Sequence, residues 1–177
     1  AFPTAKITWM IRREFAPLLE CVRGLDDTLL FERKEMGRWY SPSGWNAARK
    51  LIEQLRKNQY DLVLDFQGLL RTALFARLSG CPVRVGMAHA RECAPLFYTH
   101  KVPRPAESLH MIDAYKAMLK AIGVTSFSPH ITFEPPAKAV EYASSLLNEA
   151  GLVPRRFAVL IPGSAHPTKC WPTERFA

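Results

Sequence analysis

The chain has 177 residues, which at roughly 150 residues per domain allows one domain and part of another but not two large ones. Apolar residues make up 48% and charged residues 23%, a balance that can bury a core and that excludes a disordered or collagen-like polymer. The formal charge of +8 favours partners bearing phosphate or carboxylate, and no run approaches the ~18 apolar residues of a membrane span.

In chain order, residues 7–11 are apolar and stop at Arg12 and Arg13, as a buried strand does where its end meets solvent. A short helix over about 15–22 and a strand over 28–31 are expected next. Residues 32–43, with Arg33, Lys34 and Arg38, are polar and cationic and read as a loop. Ser43 is the expected cap of a helix to about 58, in which Ala47, Leu51, Ile52 and Leu55 form one apolar stripe. DLVLDF at 61–66 is the clearest strand, and it turns through Gln67 and Gly68 into a helix over 69–78 ended by Gly80. Another strand is expected at 83–86. Strands alternating with helices predict βαβ units with right-handed crossovers, hence an α/β fold: a Rossmann-like parallel sheet with helices on both faces.

Residues 88–105 keep no period and read as a long, functional loop with a short helix near Pro95. A helix is expected over 107–122, stopped by Gly123. The stretch 125–136 holds Pro129, Pro135 and Pro136 and reads as a connector around a short strand near 131–133. A helix over 137–150 follows, started by Pro136 and closed by Gly151. Residues 157–161 read as a buried strand, running through a small-residue loop toward a helix starting near Pro172. The expected division is therefore 1–135, a linker helix and connector over 136–156, and the opening of a second α/β domain over 157–177. Ala1 is not Met and no basic-then-apolar leader precedes the first strand, so the numbering is expected to begin inside a larger protein. Cys21, Cys81, Cys93 and Cys170 form no C-x-x-C pair, which argues against a structural metal and for a reducing cytoplasm.

Three segments can carry chemistry. Gly163, Ser164 and Ala165 after a strand would aim backbone N–H groups at one spot, with Lys169 adding a positive charge, which suits an anion; a plain turn with a solvated lysine is the alternative. The spacing is neither a Walker A loop nor G-x-G-x-x-G. Asp65-Phe66-Gln67-Gly68 ends a central strand, where ligands gather in open parallel sheets; Gln67 suits a sugar hydroxyl, and Asp65 either pairs with a cationic loop or caps the next helix. Arg12, Arg13, Arg33, Lys34, Arg38 and Arg91 each follow a strand, so a parallel sheet gathers them at one edge for a polyanionic ligand. The alternative is that single arginines decorate solvated faces. His110, near a helix start, either faces that edge or packs quietly. No nucleic-acid motif appears, and the four tryptophans are not interleaved with basic residues.

The segments YDLVLDFQGLLRTALFARLSG (60–80), HARECAPLFYTHKV (89–102), HMIDAYKAMLKAIGV (110–124) and IPGSAHPTKCWPTERFA (161–177) resemble, in order and spacing, the ADP-heptose:lipopolysaccharide heptosyltransferases of glycosyltransferase family 9. The A-R-E at 90–92 and the basic-Trp stretch from Arg33 to Trp39 put the type I enzymes nearest. The resemblance implies a GT-B glycosyltransferase that moves L-glycero-D-manno-heptose from ADP-heptose to the Kdo region of the lipopolysaccharide inner core, with inversion and without metal or other cofactor. It implies that residues 1–135 are the acceptor domain lacking its first strand and that 157–177 open the sugar-nucleotide domain. The general base, an aspartate, would then lie before Ala1, and this chain alone would not turn over. Ser164 and Lys169 match donor-phosphate positions. Arg33, Lys34, Arg38, Gln67, Arg91 and His110 match positions that hold the Kdo-lipid A acceptor, with Gly37 standing where a lysine is common. The implied location is the cytoplasm, with an anionic inner-membrane surface as a further partner and no nucleic acid. A type II or III enzyme with another core acceptor, and a non-catalytic Rossmann-like module that binds phosphate ligands, are the competing readings.

Overall fold

The computed structural model describes residues 2–37, 40–107, 110–128, 132–153, 155–161, 163–164 and 166–175. The chain forms two compact units, Ala1–Phe133 and Glu134–Ala177.

The first unit runs β1 (Thr8–Arg12), a 3-10 turn at Arg13–Phe15, α1 (Ala16–Leu19), β2 (Asp27–Phe31), α2 (Arg33–Met36), α3 (Pro42–Lys57), β3 (Leu62–Asp65), α4 (Leu70–Leu78), β4 (Val83–Met87), a 3-10 turn at Ala94–Phe97, β5 (His100–Val102) and α5 (Met111–Ala121). Every strand pair is parallel. β1 lies beside β2, with Thr8 opposite Asp27, and β3, β4 and β5 form a second ladder with Leu62 opposite Val83 and Val85 opposite His100.

Strand alternation decides which residues each face buries. Val85 and Met87 meet Ala114 and Met118 of α5, together with Val102, Leu62 and Leu64. Met118 is fully buried, and such a side chain contributes roughly 2 kcal/mol by leaving water. Gly86 faces the other way, beneath the ring of Tyr98, which packs with Ala73 of α4 and Ala94. Helices therefore cover both faces of an α/β fold, as the sequence pattern predicts. A further cluster of Leu29, Phe31, Leu51, Leu55 and Phe75 joins β2 to α3 and α4. Trp9 of β1 stacks on Phe66 at 6.4 Å, and Phe66 meets Tyr115 of α5 edge-on at 5.2 Å, so the two ladders share side-chain packing.

Several local expectations are corrected. The stretch 32–43 is not loop throughout, because Arg33–Met36 winds into α2 and packs on α3. The cap of α3 is Ser41, not Ser43: the Ser41 hydroxyl accepts from the Gly44 N–H at 3.1 Å, and Pro42 takes the first helical position that its fixed φ favours. Within 88–105, the short strand His100–Val102 adds β5 to the ladder. The helix expected from 107 begins at Met111. Of the strand expected at 131–133, Phe133 makes one antiparallel bridge to Val22, and Ile131 lies outside the described residues.

The second unit holds α6 (Ala137–Glu149), closed by Gly151 at φ +65°. Residues 157–161 form no ladder, and Val159, Leu160 and Ile161 are 68–82% exposed, which corrects the buried strand expected there. A strand is defined by its neighbour, and no described residue pairs with this segment. In place of a helix from Pro172 there is a 3-10 turn, Thr173–Arg175.

Candidate functional site

The Asp65 carboxylate organises the turn that follows β3. Its Oδ1 accepts from the backbone N–H groups of Gln67 and Gly68, both at 3.0 Å. Its Oδ2 accepts from the hydroxyls of Thr72 at 2.7 Å and Tyr98 at 2.8 Å. Thr72 also lies 3.0 Å from the Leu69 carbonyl, but its single proton favours the charged acceptor. Asp65 thus closes the turn and ties it to α4 through the Thr72 hydroxyl; it accepts from no backbone N–H of α4, whose N-cap is Leu69, and pairs with no cationic side chain among the described residues, which corrects both roles open in the sequence. Burial, then the neighbouring Asp65 charge and hydrogen bond, pushes the Tyr98 phenol far above its ordinary range, so it stays a donor.

The loop after β4 docks on this turn. The Arg91 N–H donates to the Gly68 carbonyl at 3.0 Å. The Glu92 carboxylate accepts from the Leu70 N–H at 3.2 Å, placing a negative charge in the first turn of α4, where the helix dipole favours it. Gly68 is left-handed at φ +65°, and a Cβ there would meet the Ala90 Cβ at 3.1 Å. Glu92 and Cys93 are themselves left-handed, at φ 54° and 60°.

These contacts belong to a larger rim. An Arg13–Glu32 ion pair ties the end of β1 to the end of β2, and Glu32 raises the already high Arg13 pKa. The Arg71 guanidinium of α4 lies over the Phe31 ring, 5.0 Å from its centroid, joining the ends of β2 and β3. Arg91 on Gly68 joins β3 to β4. The carboxyl ends of four strands are thereby linked into one edge bearing Arg13, Arg33, Lys34, Gln67, Arg71 and Arg91; Arg33, Lys34, Gln67 and Arg91 are exposed. Arg12 leans on Phe15 at 4.3 Å. Arg38 lies outside the described residues. His110 caps α5 after β5, its Nδ1 accepting from the Ile112 N–H at 3.3 Å.

Ser164 and Lys169 sit in the second unit, Lys169 closing a 3-10 turn over Pro167–Lys169 and Ser164 preceding it in irregular chain. The Lys169 N–H donates to the His166 carbonyl at 2.9 Å, and the Cys170 thiol lies 3.7 Å from the Ser164 carbonyl and 3.5 Å from that of His166. Lys169 is exposed. Sequence reasoning missed Thr72, Tyr98, Arg71 and Glu92. For Thr72 and Arg71 a signal existed, since they fall three and two residues after Leu69 on the first turn of a helix opening at a strand end; Tyr98 and Glu92 join the site only through tertiary contact.

The family model for glycosyltransferase family 9 (heptosyltransferase) matches residues 48–177. The chain belongs to this family. Among family 9 relatives, lipopolysaccharide heptosyltransferase 1 of Escherichia coli K12 is 26% identical over 99% of this chain and 54% of its own length. A crystal structure of a family 9 glycosyl transferase from Veillonella parvula superposes with a TM-score of 0.79, at 25% identity over 98% of this chain and 49% of that one. The E. coli heptosyltransferase WaaC, solved with ADP-2-deoxy-2-fluoro heptose, gives a TM-score of 0.67 at 24% identity over 97% and 54%. The chain spans about half the length of the curated relatives it matches. The shared fold is the Rossmann-like α/β fold of GT-B heptosyltransferases.

Proposed function

We propose that this chain is the acceptor-binding part, with the opening of the donor-binding part, of an enzyme that moves L-glycero-D-manno-heptose from ADP-heptose to the Kdo region of the lipopolysaccharide inner core. The observation that carries this reading is the cationic rim, where Arg33, Lys34 and Arg91 stand exposed at linked strand ends beside Gln67. An edge of that composition suits an acceptor whose sugars carry carboxylates and whose neighbours carry phosphates. Membership of family 9 and the sugar nucleotide named for the WaaC structure support ADP-heptose as donor.

In this reading residues 1–135 form the acceptor domain, 136–156 the linker and 157–177 the start of the donor domain. Arg33, Lys34, Arg38, Gln67, Arg91 and His110 hold the acceptor, and Ser164 and Lys169 hold the donor phosphates. An acceptor hydroxyl oxygen bonds to the anomeric carbon from the face opposite ADP, and the carbon–oxygen bond to the β-phosphate breaks. ADP departs with the bonding pair, and the hydroxyl proton passes to an aspartate supplied from outside residues 1–177. Lys169 stabilises the charge growing on the leaving phosphate, the task a metal performs in other transferases. The enzyme works in the cytoplasm, with its positive charge drawn to the anionic inner leaflet.

Transfer assays on the full-length enzyme test each part. Heptose should pass from ADP-heptose to Kdo-lipid A but not to an already heptosylated core, EDTA should leave the rate unchanged, and the product should have the inverted anomeric configuration. Preference for the heptosylated core would replace the type I reading with a type II or III one. ADP binding without any transfer would leave a non-catalytic module.

A further inference from the structure

Three carboxylates along the rim are engaged: Asp65 accepts four donors, Glu32 is held by Arg13, and Glu92 accepts from the Leu70 N–H. Arg71 stands among them with none. Among the described residues its interaction is the face of Phe31, and its Nε–H is shut off from solvent with no hydrogen-bond partner. A buried donor left unpaired costs about as much as a lost hydrogen bond. The position adds to that cost, since Arg71 is the second residue of α4, near the positive pole of the helix dipole, where a cation is disfavoured. Ring contact with Phe31 offsets part of this, but leaves the Nε–H unmet.

We propose that Arg71 is an anion-binding residue of the rim: its guanidinium rests on Phe31 in the free protein and swings off the ring to grip a carboxylate or phosphate of the acceptor through Nε and a terminal nitrogen. The planar fork suits such a bidentate grip, and the swing gives the Nε–H the partner it lacks. Arg71 sits between Arg33 and Lys34 after β2 and Gln67 and Arg91 after β3 and β4, so an anion it holds lies on the edge those residues line. The inference deepens the acceptor reading above and rests on it for the identity of the ligand, though not for the anion chemistry.

The test uses full-length wild type, Arg71→Met and Arg71→Lys. Thermal midpoints are followed across millimolar sodium sulfate against sodium chloride of equal ionic strength, and KM is measured for Kdo-lipid A and for ADP-heptose. Arg71→Met should abolish the sulfate-specific rise and raise KM for Kdo-lipid A about ten-fold or more, with KM for ADP-heptose unchanged. Arg71→Lys keeps the charge and the fold but loses Nε and the fork, and should fall between wild type and Met. If Arg71→Met lowers the midpoint equally with and without sulfate and leaves both KM values alone, Arg71 only packs on Phe31 and the proposal is overturned. If wild type shows no transfer to Kdo-lipid A yet sulfate stabilises it and not Arg71→Met, the acceptor assignment falls while the anion site stands.

Discussion

Placing a methyl group at Gly86 tests the packing that supports the rim. A Cβ built there would lie 2.2, 2.4 and 2.6 Å from the Cε2, Cζ and Cδ2 atoms of Tyr98, where carbon contacts settle near ~3.5–4.0 Å. The ring cannot drift freely, because its hydroxyl is bound to Asp65 at 2.8 Å and its neighbours Ala73 and Ala94 are fully buried. Relief requires the ring to move by more than an ångström and to release Asp65. Overpacking of this kind costs about 1–3 kcal/mol, and a hydrogen bond to a charged group about 1.5–3 kcal/mol. Gly86→Ala should therefore destabilise the first unit by roughly 3–6 kcal/mol, a large share of the ~5–15 kcal/mol available to a domain. Urea unfolding of Gly86→Ala, Tyr98→Ala and the double variant reads this as a cycle. With the ring gone, adding the methyl group should cost less than about 1 kcal/mol, giving a coupling of at least ~2 kcal/mol. A Gly86→Ala midpoint close to wild type, or an equal cost in both backgrounds, would refute the steric argument.

Three other expectations follow from the same geometry. Tyr98→Phe should cost about 1.5–3 kcal/mol near neutral pH. Because the folded phenol holds its proton well past the ordinary tyrosine range, wild-type stability should fall by ~1.4 kcal/mol per pH unit above about pH 10, where the unfolded chain ionises; the gap between the proteins should narrow from pH 9 to 11, and a constant gap would contradict the assignment. Ser41→Ala should lower stability by about 1 kcal/mol in denaturant titration by removing the cap of α3, whereas Ser43→Ala should be near neutral. Gly68→Ala, strained at φ +65° and crowding Ala90, should cost about 1–3 kcal/mol and speed amide exchange at Arg91, whose N–H bonds to the Gly68 carbonyl.

What the sequence discloses depends on whether the deciding contact is local. DLVLDF is legible as β3 because a run of apolar residues ending in Asp-x-Gln-Gly carries both the strand and its turn. The α3 stripe is legible from its helical spacing, while its cap is not, because Ser41 and Ser43 bracket Pro42 and only the helix start chooses between them. β5 is not legible: His100, Lys101 and Val102 have no alternation long enough to register, and the strand exists because β4 offers it an edge. Residues 157–161 show the converse, since apolar content without a pairing strand among the described residues forms no ladder and stays exposed. At the rim, the cationic positions were visible from their places after strands. The Tyr98 donor on Asp65 and the docking of Arg91 on Gly68 are not, because the first joins residues 33 apart in the chain and the second joins two different loops.

The docking of one loop on another also limits how this edge can change. Gln67 and Arg91 belong to different βα connections, yet the backbone bond between Gly68 and Arg91, the grip of Glu92 on α4 and the close approach of Ala90 to Gly68 make them a single rigid piece. An insertion in either connection would shift both side chains together. Altered ligand preference along this edge should thus arise by exchanging side chains on an unchanged backbone, or at α2, which carries Arg33 and Lys34 and stands outside this docked pair of connections.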